Sequence, residues 1–221
     1  MSSIEHVVIA AAGLGSRLGL GKPKCLLEIG GKPLISYLLK LVESIKDVRI
    51  VVGFEEHLVI PLVKSIRSDA IIVRNPAYRT TSTLTSYYLG SFGIKGKCLY
   101  VDADIIFCPE SFAEFIDNCN KSDRSIIGVT KAKTDDAVYV KTDLHMNVLG
   151  FNRKSATNYE WANICHIDTS YLVMEGESVY KQIQKFPLIA YPIVSYEVDN
   201  VNDYNMAIES KIYNHKLYQD I

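Results

Sequence analysis

The sequence predicts an α/β fold with a mixed, mostly parallel sheet flanked by helices and a small inserted β subsheet. Short β-branched runs alternate with longer helix-like segments through the first half of the 221 residues. This alternation is the pattern of parallel strands with helices on both faces of the sheet. Beyond residue 138 two short strand-like runs follow each other directly, as in a hairpin. No repeat or linker interrupts the chain, so we expect a single domain over residues 1–221.

The first half contains five strand-like segments, and each of the first four precedes a segment with helical character. Strands are predicted at 7–9, 48–52, 71–73, 98–101 and 125–130, and helices at 34–42, 56–67, 82–92 and 110–119. In the second half, strands are predicted at 138–141, 146–152 and 190–198, and helices at 174–185 and 201–213. The pair 138–141 and 146–152 forms the inserted subsheet of this prediction.

A turn of small residues that carries three cations follows the first strand. It reads Ala10-Ala11-Ala12-Gly13-Leu14-Gly15-Ser16-Arg17-Leu18-Gly19 and continues to Lys22-Pro23-Lys24. Backbone N–H groups of such a turn approach a polyphosphate closely because glycine has no Cβ. Arg17, Lys22 and Lys24 can neutralise the phosphate charge. We therefore predict a nucleotide-binding loop that includes Ala10, Ala11, Ala12, Gly13, Gly15 and Ser16, at the sheet edge where open α/β sheets bind ligands. The alternative is a glycine-rich connector.

Spacing excludes two common phosphate-binding loops. Leu18 stands where a dinucleotide-binding fingerprint needs its third small residue. Pro23 stands where a Walker A loop needs Ser or Thr for magnesium.

Acidic residues follow two predicted strands. Asp102 and Asp104 are two positions apart after the strand at 98–101, so both side chains point to the same side and can reach one ion. Asp199 follows the strand at 190–198, while Asn200 and Asp203 suit the start of the next helix. Carboxylate oxygens are ligands that Mg²⁺ prefers. The alternative for the first pair is a role in a turn.

The pattern Gly-x-Gly-x-Arg-Leu from Gly13, Pro23-Lys24 and then Leu26-Leu27-Glu28-Ile29-Gly30-Gly31-Lys32-Pro33-Leu34-Ile35 resembles a family signature. It is similar to that of the nucleotidyltransferases that activate phosphorylated metabolites, among them phosphocholine cytidylyltransferase and the sugar-1-phosphate nucleotidylyltransferases. The resemblance implies a Rossmann-like nucleotidyltransferase fold. It further implies that Lys24 and Arg17 stabilise the transition state.

The same resemblance assigns the metal and the nucleoside. It implies that Asp104 and Asp199 are the primary Mg²⁺ ligands, and that Asp102 binds through water or contacts the ribose. Ser82 and Thr83 match the turn that lies against the nucleobase in the family, whereas their position before a predicted helix also suits helix capping.

The acceptor site is less clearly marked in the sequence. Lys131 and Lys141 can meet a substrate phosphate, although lysines of this kind are commonly solvated. Glu160 beside Trp161 can hold a quaternary amine by cation–π attraction, with a buried tryptophan as the alternative.

The function implied is transfer of CMP from CTP to phosphocholine or another phosphorylated alcohol or amino compound, with Mg²⁺ as cofactor and release of pyrophosphate. Two alternatives stay open: a sugar-1-phosphate acceptor with UTP, CTP or another triphosphate, and a nucleotide-binding regulatory domain without turnover. A net charge of −1 argues against nucleic-acid binding. We expect no membrane span and a cytoplasmic location, and five cysteines without paired spacing predict reduced thiols. The oligomeric state is left open, with a dimer as one option.

Overall fold

A nine-stranded mixed sheet forms the centre of the structure, a computed structural model that describes residues 4–15, 21–134, 136–219 and 221. Its main path runs β10-β9-β11-β6-β1-β4-β5, and β8 joins β11 to β12. The strands of this sheet are β1 (His6–Ala11), β4 (Asp47–Val52), β5 (Ile71–Arg74), β6 (Lys97–Asp102), β8 (Ser125–Lys131), β9 (Tyr139–Thr142), β10 (Val148–Asn152), β11 (Tyr159–Asp168) and β12 (Leu188–Pro192). Two further pairs are β2 (Glu28–Ile29) with β3 (Lys32–Pro33), and β7 (Ile105–Phe107) with β13 (Ser195–Glu197).

Strand β1 lies in the middle because its apolar residues are buried on both faces. Val7, Val8 and Ile9 are fully buried, as expected for a strand covered by helices on both sides. It pairs in parallel with β4 and β6, and β4 pairs in parallel with β5. The predicted α/β class with a parallel centre is therefore confirmed.

Helices cover both faces of the sheet, as predicted. They are α1 (Leu34–Leu41), α2 (Glu56–Ile66), α3 (Thr83–Gly90), α4 (Pro109–Lys121), α5 (Val179–Ile183) and α6 (Val201–Glu209). Helices α1, α2 and α4 bury apolar side chains against the face that contains Ile9. Helices α3 and α5 pack on the opposite face with Val8. Helix α6 packs on a separate apolar cluster with Val198 and Tyr218. Among the described residues, no helix is both long and apolar enough to cross a membrane.

Three predicted elements differ from the structure. The strand expected at 190–198 is two strands in different sheets, β12 and β13, separated after Pro192, which has no N–H to continue a ladder. The helix expected at 174–185 is confined to α5, because the segment before it packs against α3: Thr85 donates to the carbonyl of Met174 and Ser82 to that of Gly176. Helix α6 ends at Glu209 rather than at residue 213.

Four strands were missed, the short β2, β3 and β7 and the long β11. Strand β11 is the longest of the sheet and pairs with β6, β8 and β9, all antiparallel. Its aromatic and β-branched residues, Tyr159, Trp161, Ile164 and Ile167, are typical of a strand. The polar residues Glu160, Asn163 and His166 interrupt the apolar run that would have marked it.

Candidate active site

The carboxyl end of β6 brings its acidic residues beside the first turn of the chain. Ala10 pairs with Asp102, and the N–H of Ala103 donates to the carbonyl of Ala10 at 3.0 Å. Asp102 accepts a hydrogen bond of 2.7 Å from the hydroxyl of Tyr87. Burial, reinforced by the charge of Asp104, raises the pKa of Asp102 to about 8.

Three other carboxylates meet next to this strand end. Asp104, Glu197 and Asp199 each offer an oxygen, and these oxygens all lie within 4.8 Å of one another. The convergence comes from pairing: Glu197 lies opposite Ile105 in the β7–β13 ladder, and the N–H of Val198 donates to the carbonyl of Asp104 at 3.0 Å. The predicted approach of Asp104 and Asp199 is thus present.

Glu197 is the member of this cluster that sequence reasoning missed. Its signal was available, because Glu197 and Asp199 are two positions apart at the end of a strand and so point to the same side.

Lys24 is the cation of the cluster. Its ammonium donates to Asp104 at 3.3 Å and also to Asp199. Burial lowers the pKa of Lys24, but Asp104 and Asp199 outweigh burial, so the pKa is raised and the side chain is firmly charged. The residue opens a short 3₁₀ helix, Lys24–Leu26, directly after Pro23. Arg17 and Ser16, predicted as a catalytic and a nucleotide-binding residue, lie outside the described residues.

The chemistry of the cluster fits a hard divalent cation. All three groups are carboxylates, the ligand type that Mg²⁺ prefers. Burial raises the pKa of Asp104, partly offset by Lys24. Burial also raises the pKa of Glu197 well above its usual value, and the charges of Asp104 and Asp199 add to this. Crowded acidic groups with raised pKa values are stabilised in their ionised form by a bound cation.

A cavity of about 440 Å³ lies in front of the cluster. The predicted nucleotide-binding residues within the described ranges line it, together with Lys24 and all three carboxylates of the cluster: Ala10, Ala11, Ala12, Gly13, Gly15, Ser82, Thr83, Asp102, Asp104, Glu197 and Asp199. Ser82 stands at the N-cap of α3, but its side chain makes no capping hydrogen bond. Its hydroxyl instead lies 3.4 Å from the carbonyl of Gly176.

The far wall of this cavity is organised by Asn75, which the sequence reasoning did not single out. The Asn75 side chain is buried and donates to Thr81 at 3.0 Å and to Ser86 at 3.1 Å, and it accepts from the N–H of Ala77 at 3.1 Å. These bonds hold the turn that carries Tyr78, which also lines the cavity. A Cβ on Gly53 would lie 2.7 Å from that of Tyr78, so only glycine leaves room for this turn.

A second cavity, of about 210 Å³, borders the same cluster. It shares Ser82, Thr83, Asp102, Glu197 and Asp199 with the first cavity and also contains Glu160 and Trp161.

Glu160 already has several partners. One of its oxygens accepts from the N–H groups of Lys133 and Thr134 and from the Thr134 hydroxyl, at 3.0, 3.1 and 2.9 Å. Its other oxygen pairs with the Lys133 ammonium at 3.4 Å. Trp161 is 8% exposed and packs edge-on against Phe151.

The structure does not bring Lys131 and Lys141 into either cavity. Both are exposed, whereas their neighbours Thr130 and Val140 are buried. Lys131 is the last residue of β8 and Lys141 the last but one of β9, and in both strands the residues before the lysine are buried on both faces.

Comparisons with known proteins agree with the site. Residues 7–187 match the MobA-like NTP transferase domain. The bifunctional protein GlmU of Nitrosomonas europaea is 30% identical over 149 residues, which are 66% of this chain and 30% of that protein. Glucose-1-phosphate cytidylyltransferase of Salmonella typhimurium is 42% identical over 57 residues, which are 24% of this chain and 22% of that protein. The chain thus spans between 14% and 30% of the length of the first GlmU proteins that it matches.

Solved structures show the same fold at lower identity. The CTP:phosphocholine cytidylyltransferase of Streptococcus pneumoniae superposes with a TM-score of 0.77 at 21% identity, covering 93% of this chain and 98% of that one. The inositol-1-phosphate CTP transferase of T. maritima gives a TM-score of 0.78 at 17% identity, covering 96% and 97%. The predicted Rossmann-like nucleotidyltransferase fold and the predicted resemblance are confirmed. By its match over residues 7–187, the chain belongs to the family of the MobA-like NTP transferase domain.

Proposed function

We propose that this chain is a Mg²⁺-dependent nucleotidyltransferase that transfers a nucleoside monophosphate from its triphosphate to a phosphorylated small molecule. The observation that supports it most directly is the meeting of two cavities at one cluster of carboxylates. A transferase of this kind holds two substrates, and its reacting atoms lie where the two binding sites join. The family match supports a nucleoside triphosphate as one of them.

The reaction needs positioning and charge neutralisation more than proton transfer. A phosphate oxygen of the acceptor attacks the α-phosphorus of the triphosphate. The bond from that phosphorus to the oxygen bridging to the β-phosphate breaks, and pyrophosphate leaves with the electron pair. Because the attacking phosphate is already an anion, no general base is required. Lys24 lies where the two carboxylates and the nucleotide cavity meet, and its charge can stabilise the negative charge that develops at the α-phosphate.

The acidic cluster supplies the metal site of this proposal. Asp104, Glu197 and Asp199 would hold the ion, which when bound neutralises phosphate charge and orients the triphosphate. Asp102 lies beside the cluster and hydrogen-bonds Tyr87, which suits contact with the ribose better than direct ligation.

For the two substrates, CTP and a phosphocholine-like or other phosphorylated alcohol or amino compound are our first choice. Two solved structures of the same fold carry CTP in their names, one of a phosphocholine enzyme and the other of an inositol-1-phosphate enzyme. A relative that matches over a shorter segment is named glucose-1-phosphate cytidylyltransferase. A sugar-1-phosphate acceptor with UTP, CTP or another triphosphate is the second candidate. It is favoured by the same glucose-1-phosphate enzyme. It is also favoured by the hydrogen bonds that Glu160 accepts from the N–H groups of Lys133 and Thr134, because these bonds make the Glu160 carboxylate less available to a quaternary amine.

The test measures pyrophosphate release from each of the four ribonucleoside triphosphates, with phosphocholine, glucose 1-phosphate and other phosphorylated acceptors. Release that depends on both substrates and stops when EDTA removes the metal is the expected result. Release with UTP or GTP but not CTP would keep the enzyme class and replace our choice of base. Binding of a triphosphate without release for any acceptor would favour the regulatory alternative.

A further inference from the structure

Strand β11 is deformed where it passes the acidic cluster. Trp161 pairs with Val129 and Cys165 with Ile127, so the five residues 161–165 of β11 face the three residues 127–129 of β8. The extra residues form a bulge, and Asn163 within it has a φ of 49°, in the left-handed region. Asparagine tolerates this backbone better than most residues because its short polar side chain is compatible with it.

The neighbouring strand is shaped to accept this bulge. Gly128 lies opposite it on β8, and a Cβ at that position would approach Ile164 Cγ2 to 2.4 Å. A side chain there would therefore push the bulge away. Gly128 on β8 and the left-handed backbone of Asn163 on β11 together determine where the Asn163 side chain lies.

That side chain contacts the acidic cluster. Nδ2 of Asn163 donates to Oε2 of Glu197 at 2.7 Å. The bond joins the main sheet to the small β7–β13 sheet, and it fixes one oxygen of the Glu197 carboxylate. Hydrogen bonds from a neighbouring residue commonly orient a metal-binding carboxylate and tune its affinity.

We propose that Asn163 is a positioning residue for the metal centre, holding Glu197 in the orientation in which its carboxylate joins those of Asp104 and Asp199. This inference rests on the proposed function, since it takes the cluster as a divalent-metal site. An amide suits the task because it donates a hydrogen bond without adding charge. An aspartate at the same place would add a fourth carboxyl to the cluster and remove the donor.

The test measures Mn²⁺ binding to the full chain without nucleotide, by electron paramagnetic resonance. Asn163→Gly keeps a residue that accepts the left-handed backbone and removes only the donor, and we expect Mn²⁺ affinity to fall by about 10- to 100-fold. Lys211→Gly is the matched control: Lys211 also has a left-handed φ, of 56°, but lies far along the chain at the C-terminal end of α6. It should bind Mn²⁺ like wild type.

A double variant shows whether Asn163 acts through Glu197. In a Glu197→Gln background, Asn163→Gly should change Mn²⁺ affinity by less than about twofold, because coupled residues are not additive. Asn163→Ala, which also removes the donor without adding charge, is a second substitution with the same expected loss of affinity, if the glycine variant does not fold.

The outcomes separate this inference from the function on which it rests. Mn²⁺ binding by wild type and equal affinity in Asn163→Gly would overturn the positioning role and leave the metal site standing. A full loss in Asn163→Gly that persists in the Glu197→Gln background would also overturn it, since the effect would not pass through Glu197. Absence of Mn²⁺ binding by wild type would overturn both proposals.

Discussion

The ammonium of Lys24 lies 3.3 Å from a carboxylate oxygen of Asp104, although 80 positions of sequence separate the two residues. The same ammonium bonds Asp199, so one cation from the first loop neutralises acidic groups from two distant strands. Asp104 and Asp199 would also hold the metal ion of the proposed function, which would supply them with positive charge in addition to that of Lys24. Lys24 itself lines the cavity proposed for the triphosphate, so its charge is available to the phosphates.

The first prediction separates Lys24 from its neighbour in the loop. Lys24→Ala should lower the rate of the chemical step by about 10²–10³, the scale for losing one positioned electrostatic contact. Lys22 is exposed and does not line the nucleotide cavity, so Lys22→Ala is the matched control and should cost much less. Single-turnover pyrophosphate release measures both. Equal, small effects would mean that the loop binds phosphate without stabilising the transition state.

The second prediction concerns the carboxylates. Asp104→Asn and Asp199→Asn should each lower turnover by more than about 10³, because loss of a ligand acts on the charged transition state. The fold should persist, since neither side chain belongs to the apolar core. Circular dichroism and thermal unfolding check this, with Asp117→Asn on the exposed side of α4 as the control. Turnover near that of wild type in either cluster variant would contradict the metal assignment.

Sequence reasoning succeeded where a local pattern carries the information. The βα order and the cap of α6 by Asn200 and Asp203 follow from residue types at fixed spacing, and the structure has both. Capping is a contact within one turn, so it is visible in four consecutive residues.

The pairing of distant segments could not be predicted from residue types at fixed spacing. Glu197 joins Asp104 only through the β7–β13 ladder, and Asn163 reaches Glu197 only because β11 bulges beside Gly128. No local pattern encodes these pairings. Lys131 and Lys141 are exposed because each lies near the end of its strand, beyond consecutive buried residues, which a charged residue type alone does not reveal.

The third prediction tests the wall of the nucleotide cavity. Asn75→Ala removes three hydrogen bonds from a buried turn and leaves the hydroxyl of Ser86 without the donor at 3.1 Å. An unmade bond to a buried group costs about 1–3 kcal/mol. We therefore expect KM for the triphosphate to rise by about tenfold or more, with a smaller change in kcat. Ser86→Ala, which loses one of these bonds, should have an intermediate effect. A change in kcat alone would show that the turn does not contribute to nucleotide binding.

The last prediction concerns stability at acidic pH. His166 is buried in β11, and its Nδ1 has no hydrogen-bond partner within the part of the chain that the structure describes. Burial, with a smaller contribution from Lys97, lowers the pKa of His166 from 6.5 to about 4. The unfolded chain therefore binds a proton at a higher pH than the folded chain does. The stability that neutral His166 contributes is fully present above about pH 6.5 and is lost progressively as the pH falls toward 4.

Each unit of difference between the two pKa values corresponds to about 1.4 kcal/mol, so the contribution lost by pH 5 is about 2 kcal/mol. Urea unfolding at pH 7.5 and pH 5 measures it in wild type and in His166→Gln. The glutamine variant removes the titrating group, so its free energy of unfolding should fall by about 2 kcal/mol less between the two pH values, whatever its stability at pH 7.5. The carboxyl groups titrate alike in both proteins. The difference between the two proteins in how the free energy of unfolding changes with pH therefore isolates His166. Parallel slopes would show that the imidazole can be protonated in place, which would require water or a polar partner to reach Nδ1 inside the sheet.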